Sequence, residues 1–204
     1  MEDNRTLYER NVQDRSTLRY YAGLLIRFRT FLKHERARRV ARKNGASIGS
    51  NVVLPISLAK KANKNLIIGD NSSIQTDNFS SLRYRIVIGK NVIIGNNAKF
   101  VMGSHNIDSL DWEHMRSTEQ LVVEDYVWIC PDAVILPSCS SIGYGAVVGA
   151  NAVAVKNIER LSVVSGNPAK EIKKRSCVHK NLVVESMLGG DFLRYREVRK
   201  GKFK

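Results

Sequence analysis

Ile88-Gly89-Lys90-Asn91-Val92-Ile93, followed at once by Ile94-Gly95-Asn96-Asn97-Ala98-Lys99, is the stretch on which the fold turns. Each block runs aliphatic, small or acidic, two polar, small, variable. The same six-residue pattern stands earlier at 48–53 and 68–73, and it resumes at 123–128, 129–134, 142–147 and 148–153. A period of six is neither 3.6 nor 2, so neither an amphipathic helix nor a hairpin strand produces it. It fits a coil with three flat faces, an all-β solenoid in which the aliphatic residue points inward onto its equivalents one coil away. The small residue two positions before it packs inside the corner, and Gly and Asn at the turn tolerate left-handed backbone angles. A coil buries its apolar position only against its neighbours, so the array is stable as a set.

The register breaks in three places. Ile74 to Ile88 is a spacing of 14, which predicts a bulge near Phe79-Ser80-Ser81-Leu82, and Ile135 to Ile142 is a spacing of seven, one residue too many near Ser138-Cys139-Ser140-Ser141. The largest break, at about 104–121, is polar and carries Asp108, Asp111, Trp112, Glu113 and His114. An excursion that long from a compact solenoid is usually functional.

Three regions follow: a basic helical segment at 1–45, the solenoid at 46–169 and a basic end at 170–204. Arg5 to Asn44 lacks proline, is rich in helix formers and predicts a helix. Leu18, Tyr21, Leu24, Leu25, Phe28, Phe31 and Leu32 recur at steps of three and four, giving an apolar stripe with Arg19, Arg27, Arg29 and Lys33 elsewhere. The stripe suits packing on the open end of the solenoid, and equally a helix lying on a membrane surface. After Asn167-Pro168 the sequence predicts a short helix and then a loosely ordered basic tail.

The 204 residues, 43% apolar and 25% charged, can bury one sizeable core. The net charge of +14 is confined to the two ends. Lys+Arg exceed Asp+Glu by 12 to 5 over 1–45 and by 11 to 4 over 170–204, while 46–169 balances at 10 and 10. A nucleic-acid reader concentrates charge on the folded element that meets the phosphates, so a neutral body argues against nucleic acid. The basic ends suit a nucleotide-like cofactor, an anionic glycan or an anionic membrane surface. Cys130, Cys139 and Cys177 cannot all pair within the chain and lack a zinc spacing, which fits reduced thiols in the cytoplasm. The first residues carry no basic and apolar signal pattern, and the run Tyr20 to Ile26 is far short of the ~20 residues that span a bilayer.

Two motifs resemble the hexapeptide-repeat acyltransferases. Val127-Trp128-Ile129-Cys130-Pro131-Asp132-Ala133-Val134-Ile135-Leu136-Pro137 is similar to that family's Val-Trp-Ile-Gly segment, with Cys130 in the usual Gly position. Ser165-Gly166-Asn167-Pro168-Ala169-Lys170 is similar to its Gly-Asn-Pro-Ala-Lys end. The resemblance covers roughly Ile48 to Arg175, within the group of galactoside, maltose, xenobiotic and polysaccharide O-acetyltransferases. It implies a left-handed parallel β-helix, a homotrimer, acetyl-CoA in the groove between adjacent helices, no metal, and a carbohydrate acceptor in capsule or O-antigen modification.

The resemblance also assigns residues. His105, at the opening of the long break, matches the catalytic histidine; neutral imidazole can accept a hydroxyl proton as the C–O bond forms. Asp77, Asn78 and Asp108 fall near positions that hold the acceptor, and Asp108 could also orient the ring or cap the loop. Trp128 should face outward and line both the acceptor and the thioester. Ala150, Val155 and Lys156 match positions that meet the cofactor, and Lys170 and Lys173 suit its phosphates. Other readings are N-acylation of an amino sugar or amino acid, and a non-catalytic scaffold. A zinc hydratase site would need a third histidine beside His105 and His114.

Overall fold

The computed structural model describes residues 5–115, 120–179, 182–184, 186 and 189–201. The repeat folds into three parallel sheets that the chain visits in turn. The first holds β1 (Ser47–Ile48), β2 (Leu66–Ile68), β4 (Arg85–Ile88), β9 (Gln120–Val123) and β12 (Ser141–Ile142), paired in that order. The second holds β3 (Ser73–Ile74), β5 (Ile93–Ile94), β10 (Trp128–Ile129), β13 (Val147–Val148) and β15 (Ser162–Ser165). The third holds β6 (Lys99–Phe100), β11 (Val134–Ile135) and β14 (Val153–Ala154).

Register follows the aliphatic positions: Ile74, Ile94, Ile129 and Val148 stand in line on the second sheet, and Phe100, Ile135 and Ala154 on the third. All are buried, as are the small residues two positions earlier, among them Val92, Ala98, Ala133, Ala146 and Ala152. The bulge near Phe79 is absorbed by a bridge from Phe79 to Phe100, whose rings stack at 4.5 Å. The extra residue near Ser138 is absorbed by a tight turn that buries Cys139. None of the three cysteines is bonded to another.

The turn residues correct one expectation. The left-handed position is the third after the aliphatic residue: Asn51, Asn71, Asn91, Asn97, Asp132 and Asn151 have φ between 54 and 59°. The glycine directly after the aliphatic residue serves another purpose. A Cβ on Gly69 would lie 2.7 Å from the carbonyl carbon of Gly89 and 2.8 Å from the amide of Lys90. Glycine there lets one coil lie against the next.

The N-terminal segment is two helices rather than one. α1 (Leu7–Gln13) opens on a capping box between Thr6 and Glu9, and α2 (Thr17–Lys43) follows after a break at Asp14–Ser16. Only part of the apolar stripe packs: Leu24 joins the Tyr20 cluster and Phe28 and Phe31 meet Phe192, but Leu18, Tyr21, Leu25 and Leu32 are exposed, while Tyr20, Gly23, His34, Ala37, Arg38 and Ala41 are buried. The later part of α2 closes the first coil. In later coils, the carbonyls of Ile68, Ser72 and Ile94 accept amides from the coil before. The corresponding carbonyls of Ile48, Val52 and Leu54 have no earlier coil, and they meet Arg42, Arg38 and His34 at 2.8, 2.8 and 3.3 Å. One residue per turn of α2 thus answers one edge carbonyl. A short helix, α3 (Ile56–Lys61), which the repeat does not announce, fills the gap between this coil and α2 through Leu58 and Ala59.

The basic C-terminal end also departs from expectation. No helix directly follows Pro168. β16 (Lys170–Lys174) turns back antiparallel on β15 and covers the far edge of the second sheet. α4 (Phe192–Arg199) comes later and docks on α1 and α2. Tyr195 is fully buried and stacks on Tyr20 at 5.0 Å, and Asp191 pairs with Arg27 at 3.0 Å. No described helix is long and apolar enough to cross a membrane.

Two outcomes follow. Gly69→Ala forces a methyl group into the backbone of the next coil and lowers unfolding free energy by ~2–3 kcal/mol, read from denaturant midpoints; an unchanged midpoint would show that the coils can separate freely. His34 is held below its ordinary pKa, first by burial. The unfolded chain therefore takes up this proton at higher pH than the folded one, so stability falls as pH drops below about 6.5. His34→Gln should lose less stability than wild type between pH 7.5 and 5.5; an equal loss would assign the effect elsewhere.

Candidate active site

After Phe100 the chain leaves the solenoid at the corner between the third and first sheets. It returns as β9. The excursion is a hairpin of β7 (Ser104–His105) and β8 (His114–Met115), with His105 directly opposite His114. Its tip is tied internally. The Asn106 amide donates to the Glu113 carbonyl at 2.8 Å, the Asp108 amide to Asn106 Oδ1 at 3.1 Å, and the Glu113 amide to Ser109 Oγ at 2.9 Å. Trp112 is held at φ 48°, a left-handed conformation that costs a bulky residue on the order of 1–3 kcal/mol. That conformation accompanies a 2.5 Å contact between its carbonyl oxygen and His105 Nδ1.

A carbonyl oxygen only accepts, so Nδ1 carries the proton and the neutral ring presents a bare Nε2. The ring is exposed and packs on His114, with centroids 4.3 Å apart at 33°. The arrangement can hold an imidazole in one tautomer with its basic nitrogen open to solvent. Among the described residues no group of three His, Cys, Asp or Glu side chains could hold a metal.

The other candidates lie in several places. Asp108 is exposed in the tip, and the contact at Nδ1 is made by Trp112, not by Asp108. Asp77 is engaged by α3, pairing with Lys61 at 3.2 Å, and its carboxyl is held below the usual range first by a hydrogen bond from Ser57 and then by Lys61. Asn78 is exposed next to the Phe79 bridge on the third sheet. Val155 and Lys156 occupy the corner from which the hairpin leaves, two coils on, about 10 Å away at the spacing of parallel strands. With Ala154, Ile158, Val164 and Glu171 they line a cavity of about 260 Å³.

Trp128, 43% exposed, stands on the outer face of the second sheet in a column with Ile93, Val147 and Val163, and β16 brings Lys173 beside Val163. Ala150 and Lys170 are exposed at the corner between the second and third sheets. The hairpin that carries His105 therefore leaves from the corner that Val155 and Lys156 occupy two coils on, and Trp128 stands on the opposite sheet. Trp112 was missed as a partner of His105, and His114 was set beside it only as a metal ligand, because only the hairpin register brings both to the ring.

No protein-family model matches the chain. The chain is 30% identical over 152 residues to WcaF of Escherichia coli K12, an acetyltransferase assigned by name to colanic acid biosynthesis, covering 74% of this chain and 78% of the relative. This chain belongs to the hexapeptide-repeat acetyltransferase family. A chloramphenicol acetyltransferase of Klebsiella aerogenes is 30% identical over 110 residues, covering 45% of this chain and 52% of the relative. The chain thus spans about half the length of such relatives. The fold matches a hexapeptide-repeat acetyltransferase from Vibrio cholerae with a TM-score of 0.56 at 24% identity, over 83% of this chain and 93% of that one. The Vibrio protein has also been solved with acetyl coenzyme A bound, and that structure matches with a TM-score of 0.52 at 22% identity, over 85% and 92% of the two chains.

For this family member, the hairpin geometry fixes a spectroscopic outcome. Nitrogen-15 spectra of the neutral His105 ring should show a protonated Nδ1 and a bare Nε2. The opposite tautomer would mean that Trp112 does not orient the ring.

Proposed function

We propose that the chain is an acetyl-CoA-dependent O-acetyltransferase that modifies a carbohydrate hydroxyl in polysaccharide biosynthesis, with His105 as general base. The observation that carries the reading is the contact of His105 Nδ1 with the Trp112 carbonyl, which leaves Nε2 bare on an exposed ring. A sugar hydroxyl is a poor nucleophile at neutral pH, and a positioned imidazole answers that need. Nε2 takes the hydroxyl proton as the new C–O bond forms at the thioester carbonyl. When the C–S bond breaks, the same nitrogen returns the proton to the departing sulfur. The products are an acetyl ester and a free thiol, and His105 ends as it began. The name of WcaF supports the polysaccharide setting.

The assembly that completes such a site is a homotrimer of left-handed β-helices. Outward residues of the first sheet, Ile67, Val87 and Val122, and of the second, Ile93 and Val147 beside Trp128, are apolar and half-buried or exposed. Two different apolar faces suit a closed ring in which each chain meets two neighbours. Trp128 and Lys173 of one chain would then face the hairpin and Lys156 of the next, with the pantetheine arm against Trp128 and phosphates near Lys170 and Lys173. Asn78 and Asp108, both exposed, remain acceptor candidates. Asp77 is the weaker one, being engaged by Lys61.

His105→Ala should lower kcat by roughly 10²–10⁴ with the KM for acetyl-CoA nearly unchanged, in steady-state assays of thiol release. Near-normal turnover would remove His105 from the mechanism. Faster transfer to amines than to hydroxyls by the wild-type chain would replace the ester product with an amide.

A further inference from the structure

α2 carries a surface that the fold does not use. Leu18, Tyr21, Leu25 and Leu32 are all exposed, from 82% at Leu18 to 50% at Leu32. Their spacing lines them along one side of the helix over roughly 21 Å. The packing needs of α2 are met from the other side, where Tyr20 and Gly23 lie under Tyr195 and Arg27 pairs with Asp191. Scattered exposed apolar residues are ordinary, but a contiguous stripe marks a binding surface.

The charge around the stripe says what it binds. Arg19, Arg29, Lys33 and Arg36 are exposed beside it, and no salt bridge among the described residues engages them. From Arg15 to His34 the sequence has no Asp or Glu; the first acid, Glu35, is already paired with Arg38 and Arg39. A second copy of this helix would bring arginines against arginines with no acid to meet them. A surface of anionic headgroups over acyl chains complements both the cations and the apolar side chains. Tyr21, with an apolar ring and a polar tip, suits that boundary.

We propose that this face of α2 docks the protein on an anionic lipid surface, the helix lying in the plane of the headgroups. The lipid contact is independent of the acetyl-transfer reading. Its consequence for the substrate, a carbohydrate acceptor presented at a membrane, rests on that reading.

The test uses the full chain and vesicles of phosphatidylcholine, alone or mixed with phosphatidylglycerol, at low and high salt. The wild-type protein should co-sediment with the anionic vesicles at low salt, at least ten-fold more tightly than with phosphatidylcholine alone, and high salt should weaken the binding. Leu18→Glu with Leu25→Glu should abolish binding, and Arg19→Gln with Arg29→Gln and Lys33→Gln should weaken it ten-fold or more. Both variants should keep the melting temperature and the lipid-free mass by light scattering. No sedimentation of the wild type with anionic vesicles at low salt overturns the proposal, as does full binding by either variant. A fall in lipid-free mass in the leucine variant overturns it too, by assigning the stripe to another copy of the chain. None of these readings involves acetyl transfer, so their outcome is separable from the fate of His105.

Discussion

Backbone hydrogen bonding between coils is the constraint on which everything else depends. Each coil buries its aliphatic residues only when its amides and carbonyls are answered by the next, so the array has no trouble in the middle and two problems at its ends. At the start, Arg42, Arg38 and His34 replace the missing coil with side-chain donors at one turn of helix each. At the far end, β16 folds back on β15. The two basic ends of the chain therefore owe part of their charge to architecture. Arg38 and Arg42 are capping groups and are not free to meet a ligand.

The same constraint explains what the sequence reveals and what it hides. Inward residues repeat because they stack, so the sheets, their parallel register and the interruption at 104–121 are legible from Ile88 to Lys99 and the blocks around it. Glycine after the aliphatic residue was legible as a pattern but not in its cause, since close approach of coils leaves the same letter as a left-handed turn. The helical ends obey no such repeat. Leu18, Tyr21 and Leu25 carry a strong helical period and yet face outward, because Gly23, Ala37 and Ala41, small residues that leave little mark on a hydropathy pattern, make the contact. Phe192, Tyr195 and Val198 do mark α4, at steps of three, behind a stretch of basic residues that reads as a loose tail.

At the candidate site, His105 stands out in the sequence because it opens the long break. Its partners do not. Trp112 and His114 lie seven and nine residues on, and only a two-residue ladder with His105 opposite His114 makes them neighbours. The device is a hairpin tip locked by Asn106, Ser109 and a left-handed Trp112, which delivers one carbonyl to one imidazole nitrogen. The hairpin leaves the coils at the corner that Val155 and Lys156 occupy two coils on. Trp128 stands on the opposite sheet, away from that corner.

The chemistry of the product tests the account most directly. The protein, supplied with acetyl-CoA and a panel of hydroxyl- and amine-bearing carbohydrates, should release free thiol with a hydroxyl acceptor, and mass spectrometry should find one added acetyl group that mild alkali removes. An alkali-stable acetyl group, or no acetylated product from any acceptor in the panel, would contradict O-acetyl transfer by this fold.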